Sequence, residues 1–202
     1  MKLYYSPGAC SMSPHIVLRE IGKKFDLESV DLGTKKTATG KDYTKINPKG
    51  YVPALELKPG DVLTEGAVIV QYLADKAKAT KLLPKAGSMA RYRAVEMLNY
   101  IAAELHKTMG ALFAKTISED VRKATMEKLT KRLDHFDGIL AKSKFLLGKS
   151  FSVADAYAFT IFSWGPHLKV DMSPWKNIAA YMERIGKRPA VQAVLKAEGL
   201  SK

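Results

Sequence analysis

The chain has a single cysteine, Cys10, in 202 residues, which excludes an internal disulfide and any multi-cysteine metal site. Its four histidines, His15, His106, His135 and His167, show no ligand spacing, so neither a structural zinc nor any other metal is expected. No apolar run approaches the roughly 20 residues that a membrane helix needs. The first residues run straight into turn chemistry at Ser6-Pro7-Gly8 instead of an apolar leader, which makes the cytoplasm the expected address. What the chain does have is ample core material, 47% hydrophobic residues, enough for one large domain or two small ones.

The formal charge is +13 and unevenly spread: 12 Lys and Arg face 9 acids in residues 1–80, whereas 21 face 11 in residues 81–202. Such a balance attracts anions, a small anionic ligand or nucleic acid. The positive residues are nevertheless scattered among acids over several helices, which reads chiefly as a lysine-rich solvated surface.

The first eighty residues change period repeatedly. "MKLYY" reads as a strand, "SPHIVLREIG" as a short helix closed by Gly22, and "FDLESVDL" as a second strand. A polar stretch rich in Lys, Thr and Gly comes after it. "VPALEL" and "DVLTE" then flank Lys58-Pro59-Gly60, a hairpin signal, and "GAVIVQYLADKA" reads as a helix. The order β-α-β then β-β-α fits a small α/β module with a mixed sheet over residues 1–80. Pro84 and Gly87 mark a linker around residues 81–86, and residues 87–202 carry helical periodicity with no convincing strand, an all-helical domain. Within it Ser152-x-x-Asp155 is a capping-box-like helix start, and Ser118, with Val121 three residues on, is not.

Four places can carry chemistry. Cys10 lies between a turn and a helix start, where unpaired backbone N–H groups and the helix dipole lower a thiol pKa; a small buried hydrophobe is the alternative. Val52-Pro53 opens a strand, and a cis bond there would aim the Val52 backbone at a peptide-like ligand, although a trans edge strand is the commoner arrangement. Glu65 and Gly66 begin a helix, where a ligand carboxylate would meet backbone N–H groups and an ammonium the Glu65 side chain; a favourable first-turn charge explains Glu65 as well. Asn99, Ala103, His106 and Gly110 are spaced 4, 3 and 4, one helix face, which makes either a polar notch or a satisfied structural histidine.

In this order the blocks "YYSPGACSMSPH", "NPKGYVPAL", "LTEGAVIVQYLAD", "LNYIAAELHK" and "FSVADAYAFT" resemble the glutathione S-transferase family, specifically its bacterial beta class, over essentially the whole chain. The resemblance implies a thioredoxin-like βαβ-ββα glutathione-binding domain, an all-helical second domain, a homodimer, and glutathione as co-substrate with no cofactor. It implies that Cys10 lies beside the glutathione sulfur and can form a mixed disulfide with it. Val52 would pair its backbone with the cysteinyl part before cis-Pro53; Glu65 and Gly66 would hold the γ-glutamyl end and Lys35 the glycyl end. Gly66 departs from the serine common in the wider family, which leaves the backbone N–H in place. Asn99 and the segment Ala103, Glu104, Leu105, His106 would supply further contacts, with His106 near the sulfur. Tyr5 stands where other classes keep their activating tyrosine, without being the principal group here. Ser152 and Asp155 match the family's helix cap and belong to folding.

The mechanism implied is glutathione held as thiolate by Cys10, His106 and the first helix's N-terminus, attacking an electrophilic carbon, with peroxidase and thiol-transfer chemistry as further activities. An apolar pocket lined by Met109, Phe113 and Trp164 would take the hydrophobic electrophile. A reading of another class, favoured by the charge alone, is a non-catalytic transferase-like docking module for anionic or nucleic-acid-containing complexes. The glutathione-contact positions argue against it, because a docking module has no physical need of Cys10, Asn99 and His106 together.

Overall fold

The structure, a computed structural model, describes residues 1–201 and divides into two compact units, one of residues 1–80 with 187–201 and one of residues 81–186. In the first, β1 (Lys2–Tyr5), α1 (Met12–Glu20), β2 (Asp26–Asp31), β3 (Lys36–Thr37), β4 (Ala54–Lys58), β5 (Asp61–Thr64) and α2 (Gly66–Lys76) come in order. The sheet runs β3-β2-β1-β4-β5, with β1 and β2 parallel and every other pair antiparallel. The parallel pair needs the α1 crossover, and the β4–β5 pair only its Lys58-Pro59-Gly60 turn. This is a thioredoxin-like mixed sheet.

Both faces of β1 are covered. Leu3 and Tyr4 point to opposite sides, and neither is more than 2% exposed. Tyr4 joins Val30, Tyr43, Val52 and Ala54 in one cluster. On α1, every residue from Met12 to Leu18 is buried, and the helix packs against α2.

Two expectations are corrected here. The polar connection after β2 contains a strand, β3, whose Thr37 pairs with Val30. Residues 187–201, assigned by periodicity to the helical domain, belong to the first unit, where α8 (Pro189–Ala197) packs on α1. Arg188 fixes that packing through Nε and Nη2 bonds of 2.7 and 2.9 Å to the two Glu20 oxygens.

The second unit holds α3 (Met89–Tyr100), a π turn (Ile101–His106), α4 (Lys107–Ala111), α5 (Glu119–Leu140), α6 (Val153–Phe162) and α7 (Lys176–Gly186). All ten residues of α6 are buried, as suits a helix that is apolar all round. Phe162 on α6 meets Phe136 of α5 and Tyr181 of α7 edge-on at 5.4 and 6.3 Å. At the start of α6, Asp155 accepts from the N–H and the hydroxyl of Ser152 at 2.8 and 2.6 Å and from Leu146 N–H at 2.9 Å. The capping-box start of the sequence is therefore present. Ser118 also caps α5, its oxygen accepting from Val121 N–H at 3.4 Å without a reciprocal acid.

Among the described residues no helix is long and apolar enough to cross a membrane, and no three His, Cys, Asp or Glu side chains gather as a metal would need.

Candidate functional site

In the first unit the candidate residues converge on one short segment, Lys49 to Pro53. Cys10, half-buried, donates its thiol to the Val52 carbonyl oxygen at 3.1 Å. The Val52-Pro53 bond is cis, against the commoner trans arrangement. The carbonyl just before it, that of Tyr51, accepts from Tyr43 Oη at 3.1 Å and Asn47 Nδ2 at 2.7 Å, so the backbone on the near side of Val52 is pinned by two buried side chains. Burial pushes the Tyr43 hydroxyl up to about 12, which keeps it a donor.

The other two ends of the segment are also held. Lys35, itself at φ +57°, reaches Gly50 and donates from Nζ to its carbonyl at 2.8 Å. Gly66, the first residue of α2, approaches Pro53 so closely that a Cβ there would sit 3.7 Å from Pro53 Cγ, in ordinary contact. Glu65 caps α2 from φ +69°, a left-handed backbone that a residue with a side chain seldom adopts, and its carboxylate meets Lys49 at 2.6 Å. The α2 N–H groups of Gly66 and Ala67 have no acceptor within the helix, as at every helix start, while those of Val68 and Ile69 return to the Glu65 carbonyl. The result is an exposed Glu65 carboxylate beside helix-start amides, a lysine at the opposite end, and a thiol between them.

The N-terminus of α1 differs from the simple picture of open amides around Cys10. Met12 and Ser13 N–H donate to the carbonyls of Ala9 and Cys10 at 2.9 and 3.2 Å, because the turn runs on into the helix without a break. These two donors are thus committed to the turn. Tyr5 lies with its ring 6.1 Å from His15, and burial, with the Glu198 charge adding, raises its hydroxyl above the ordinary value. The phenol is accordingly kept in its donor form.

Sequence reasoning missed the group that supports this turn. Glu198, with its side chain fully buried, accepts from Gly8 N–H at 2.9 Å and pairs with His15 Nδ1 at 2.8 Å. The acid sits 190 positions from Gly8, beyond the reach of any spacing rule.

In the second unit, His106 closes the π turn. Its Nδ1 and the Tyr157 hydroxyl are 2.6 Å apart, and its ring meets Trp164 edge-on at 5.0 Å. The π turn also corrects the reading of one shared helix face: i→i+5 bonding advances the helix differently, so side chains beyond residue 101 are rotated against those on α3. Asn99 and Ala103 lie exposed, while His106 and Gly110 are half-buried. Glu104 is engaged by Arg132, whose Nε and Nη2 donate to one carboxylate oxygen at 3.0 and 2.5 Å, and Leu105 is buried in the core.

Of the three residues expected around the electrophile, Phe113 is exposed and stands edge-on to Trp164 at 5.3 Å. Phe113 lines a cavity of about 720 Å³ with Leu112, Ala114, Lys115, Arg122, His167, Leu168 and Lys169; Met109, fully buried, and Trp164 are not part of that lining.

A thioredoxin-like sheet with a cis-proline edge facing a helix-start thiol defines a class of proteins that handle thiols and thiol peptides. The comparisons with known proteins are more specific. Residues 8–76 match the family model described as glutathione S-transferase, N-terminal domain, and residues 97–189 the one described as glutathione S-transferase, C-terminal domain. Glutathione S-transferase GstA of Escherichia coli O157:H7 is 46% identical over 99% of this chain and 100% of its own. Among solved structures, a ternary complex of BphK, a bacterial GST, superposes with a TM-score of 0.96 at 48% identity, covering 99% of this chain and 100% of the other. A bacterial beta class transferase of Sphingomonas chungbukensis does so at 0.95 and 43%, covering both chains fully. The chain belongs to the glutathione S-transferase family, and the beta-class resemblance of its sequence blocks holds.

Proposed function

We propose that this glutathione transferase uses the Lys49–Pro53 segment to bind glutathione, with Cys10 beside its sulfur, and conjugates the thiol to hydrophobic electrophiles. The observation that carries the reading is the 3.1 Å bond from Cys10 Sγ to the Val52 carbonyl, which sets a thiol donor on the backbone that would pair with the cysteinyl residue. Lys35 and the Glu65-Gly66 helix start stand at the two ends of that backbone, a cation for the glycyl carboxylate and amides for the γ-glutamyl one. A solved sphingomonad transferase 43% identical to this chain is described as complexed with glutathione.

The chemistry balances without a metal or a prosthetic group. Glutathione gives its thiol proton to solvent, the sulfur pair forms the new S–C bond, and the leaving group departs with the pair of the broken bond. When the Val52 carbonyl accepts from the cysteinyl N–H of the tripeptide instead, the Cys10 thiol turns its proton to that sulfur. With glutathione disulfide, the Cys10 thiolate forms the new S–S bond and one glutathione thiolate leaves. His106 is assigned to stabilise the thiolate, its ring held by the 2.6 Å contact between Nδ1 and the Tyr157 hydroxyl. Peroxide reduction begins with the same attack on an O–O bond, which gives glutathione sulfenic acid as the alcohol leaves, and a second glutathione then displaces water to form glutathione disulfide.

The protein works as a homodimer in the cytoplasm, where glutathione is kept reduced. Met89 and Tyr92, 69% and 61% exposed and one turn apart on α3, support the dimer as large apolar side chains on a single face. Sedimentation equilibrium gives twice the chain mass if this is right.

Turnover of 1-chloro-2,4-dinitrobenzene with glutathione tests the activity. Cys10→Ala retains conjugation within about tenfold, the scale of one hydrogen bond to a charged sulfur, and loses the mixed disulfide entirely. A protein that neither binds nor turns over glutathione overturns the reading.

A further inference from the structure

One buried hydroxyl in the first unit has no partner. Ser13, in the first turn of α1, is fully buried, and its Oγ makes no hydrogen bond among the described residues. A buried polar atom left in this way is uncommon, and it points to a partner that forms in another state of the site. Donors beside it are committed elsewhere. Ser11 Oγ accepts from Ser6 N–H at 3.1 Å and donates to the Ser6 carbonyl at 3.3 Å, and the Met12 and Ser13 N–H groups close the turn on the Ala9 and Cys10 carbonyls.

Ser13 stands one turn from Cys10. The 3.2 Å bond from Ser13 N–H to the Cys10 carbonyl joins the two, and side chains three apart on a helical turn are neighbours. Both border the same peptide: Cys10 Sγ donates to the Val52 carbonyl at 3.1 Å, while Ser13 Oγ lies 3.8 Å from the place a Cβ on Gly66 would take, itself 3.7 Å from Pro53 Cγ. Pro53 has no N–H, and its ring offers the hydroxyl no acceptor. The Val52 carbonyl suits Cys10 only as a thiol. Once the sulfur loses its proton it has nothing to donate, the carbonyl oxygen repels it, and it needs a donor.

We propose that Ser13 is that donor: its hydroxyl bonds Cys10 Sγ in the thiolate form and so sets how readily Cys10 exchanges with glutathione disulfide. In the forward step the thiolate pair of Cys10 forms the new S–S bond, the old S–S pair leaves on one glutathione sulfur, and that thiolate takes a proton from solvent. In the return step a glutathione thiolate attacks the glutathione sulfur of the mixed disulfide. Glutathione disulfide forms, and Cys10 leaves as thiolate with the pair of the broken bond. Ser13 keeps its proton throughout and donates to the charge that arrives on Sγ. A better-held thiolate is a better leaving group, so Ser13 shortens the life of the mixed disulfide. The exchange rests on the glutathione reading above; the bond between Ser13 and the thiolate does not.

Because Cys10 is the only cysteine, alkylation by iodoacetamide reads its thiolate without interference. Across a pH series, Ser13→Ala moves the midpoint of the alkylation rate up by about one pH unit, the scale of one hydrogen bond to a charged group. The same variant unfolds at no lower denaturant concentration, since no bond of the fold is lost. An alkylation midpoint that stays put overturns the proposal, and a lowered denaturant midpoint beside it assigns the hydroxyl to the fold instead. Ser13→Cys tests the placement: after glutathione disulfide, mass spectrometry shows an internal disulfide, lighter than the reduced chain by a pair of hydrogens, and no retained glutathione. Glutathione retained on that variant puts position 13 out of reach of Sγ and contradicts the bond. For the exchange, release of glutathione from the mixed disulfide by added glutathione slows about fivefold in Ser13→Ala. An unchanged release rate beside a shifted alkylation midpoint overturns the exchange part alone. Unmodified protein that takes up no glutathione sinks the glutathione reading and leaves alkylation to decide the bond.

Discussion

The two units present their candidate residues by opposite means. In residues 1–80 the site is made mostly of backbone: a cis peptide at Val52-Pro53, left-handed residues at Lys35 and Glu65, and carbonyls of Gly50, Tyr51 and Val52 each fixed by a side chain. In residues 81–186 it is made of side chains on helices and on the turns that follow them: His106 against Tyr157 and Trp164, Phe113 against Trp164, and a rim of lysine and arginine. A peptide ligand of constant backbone suits the first arrangement, since main-chain donors and acceptors read main chain. An electrophile that varies suits the second, since side chains can be exchanged without moving the backbone that carries them. Changes that cost folding and changes that cost specificity therefore fall on different kinds of residue in each unit.

The largest effect should come from attacking the support of the helical unit. Asp155 is buried and accepts from Ser152, Leu146 and the Tyr181 hydroxyl, the last at 3.1 Å. Burial raises its carboxyl above the usual range against the pull of those bonds. Asp155→Ala strands several buried donors and should cost about 3–5 kcal/mol in denaturant unfolding. The residues of the first unit proposed to bind glutathione are not touched by it.

Next in size is the support of the thiol turn. Glu198→Ala removes the acceptor of Gly8 N–H and the partner of buried His15, and should cost about 2–4 kcal/mol. Because that turn carries Cys10, the KM for glutathione should rise together with the loss of stability. If stability falls while KM stays fixed, the turn does not need Glu198 to present the thiol.

A smaller effect is expected from pH. Burial pushes Glu28 up, but hydrogen bonds from Lys2, Thr39 and Thr37 outweigh it and hold the carboxyl down at about 2, against 4.5 ordinarily. A depressed carboxyl stabilises the fold above the unfolded value and loses that contribution as pH falls through the folded one. The loss should run from about pH 4.5 to 2 and amount to at most about 3 kcal/mol, and Glu28→Gln should remove this segment of the pH–stability curve. The smallest effect belongs to Lys49→Ala, which breaks an ion pair whose side chains are 45% and 53% exposed; under 1 kcal/mol is expected.

Legibility in the sequence divides along the same line. Strands β1, β2, β4 and β5, and helices α1 and α2, were readable because period, turn residues and length agreed. Strand β3 was not: two polar residues, Lys36 and Thr37, carry no alternation, and only pairing with β2 makes them a strand. The π turn was hidden because apolar spacing reads as α-helix until a backbone bond shifts to i+5. The place of α8 depended on Arg188 meeting Glu20 and Glu198 meeting His15, pairs separated by 168 and 183 positions. The site residues of the first unit were recognisable as blocks, whereas their common hub at Lys49–Pro53 was not, since Cys10 and Val52 share no local signal. In the helical unit, Phe113 was expected at the electrophile pocket, but the cationic rim around it went unread because exposed lysines ordinarily mean solvent.

The central claim is that Cys10 stands beside the sulfur of a bound glutathione. Mass spectrometry of the protein after exposure to glutathione disulfide, with and without S-methylglutathione, tests it most directly. The account predicts one reducible glutathione per chain, absent in Cys10→Ala, and formed much more slowly when S-methylglutathione, which cannot exchange, occupies the site. An adduct that forms at the same rate with S-methylglutathione present would contradict it, by showing that Cys10 reacts away from the place where the tripeptide binds.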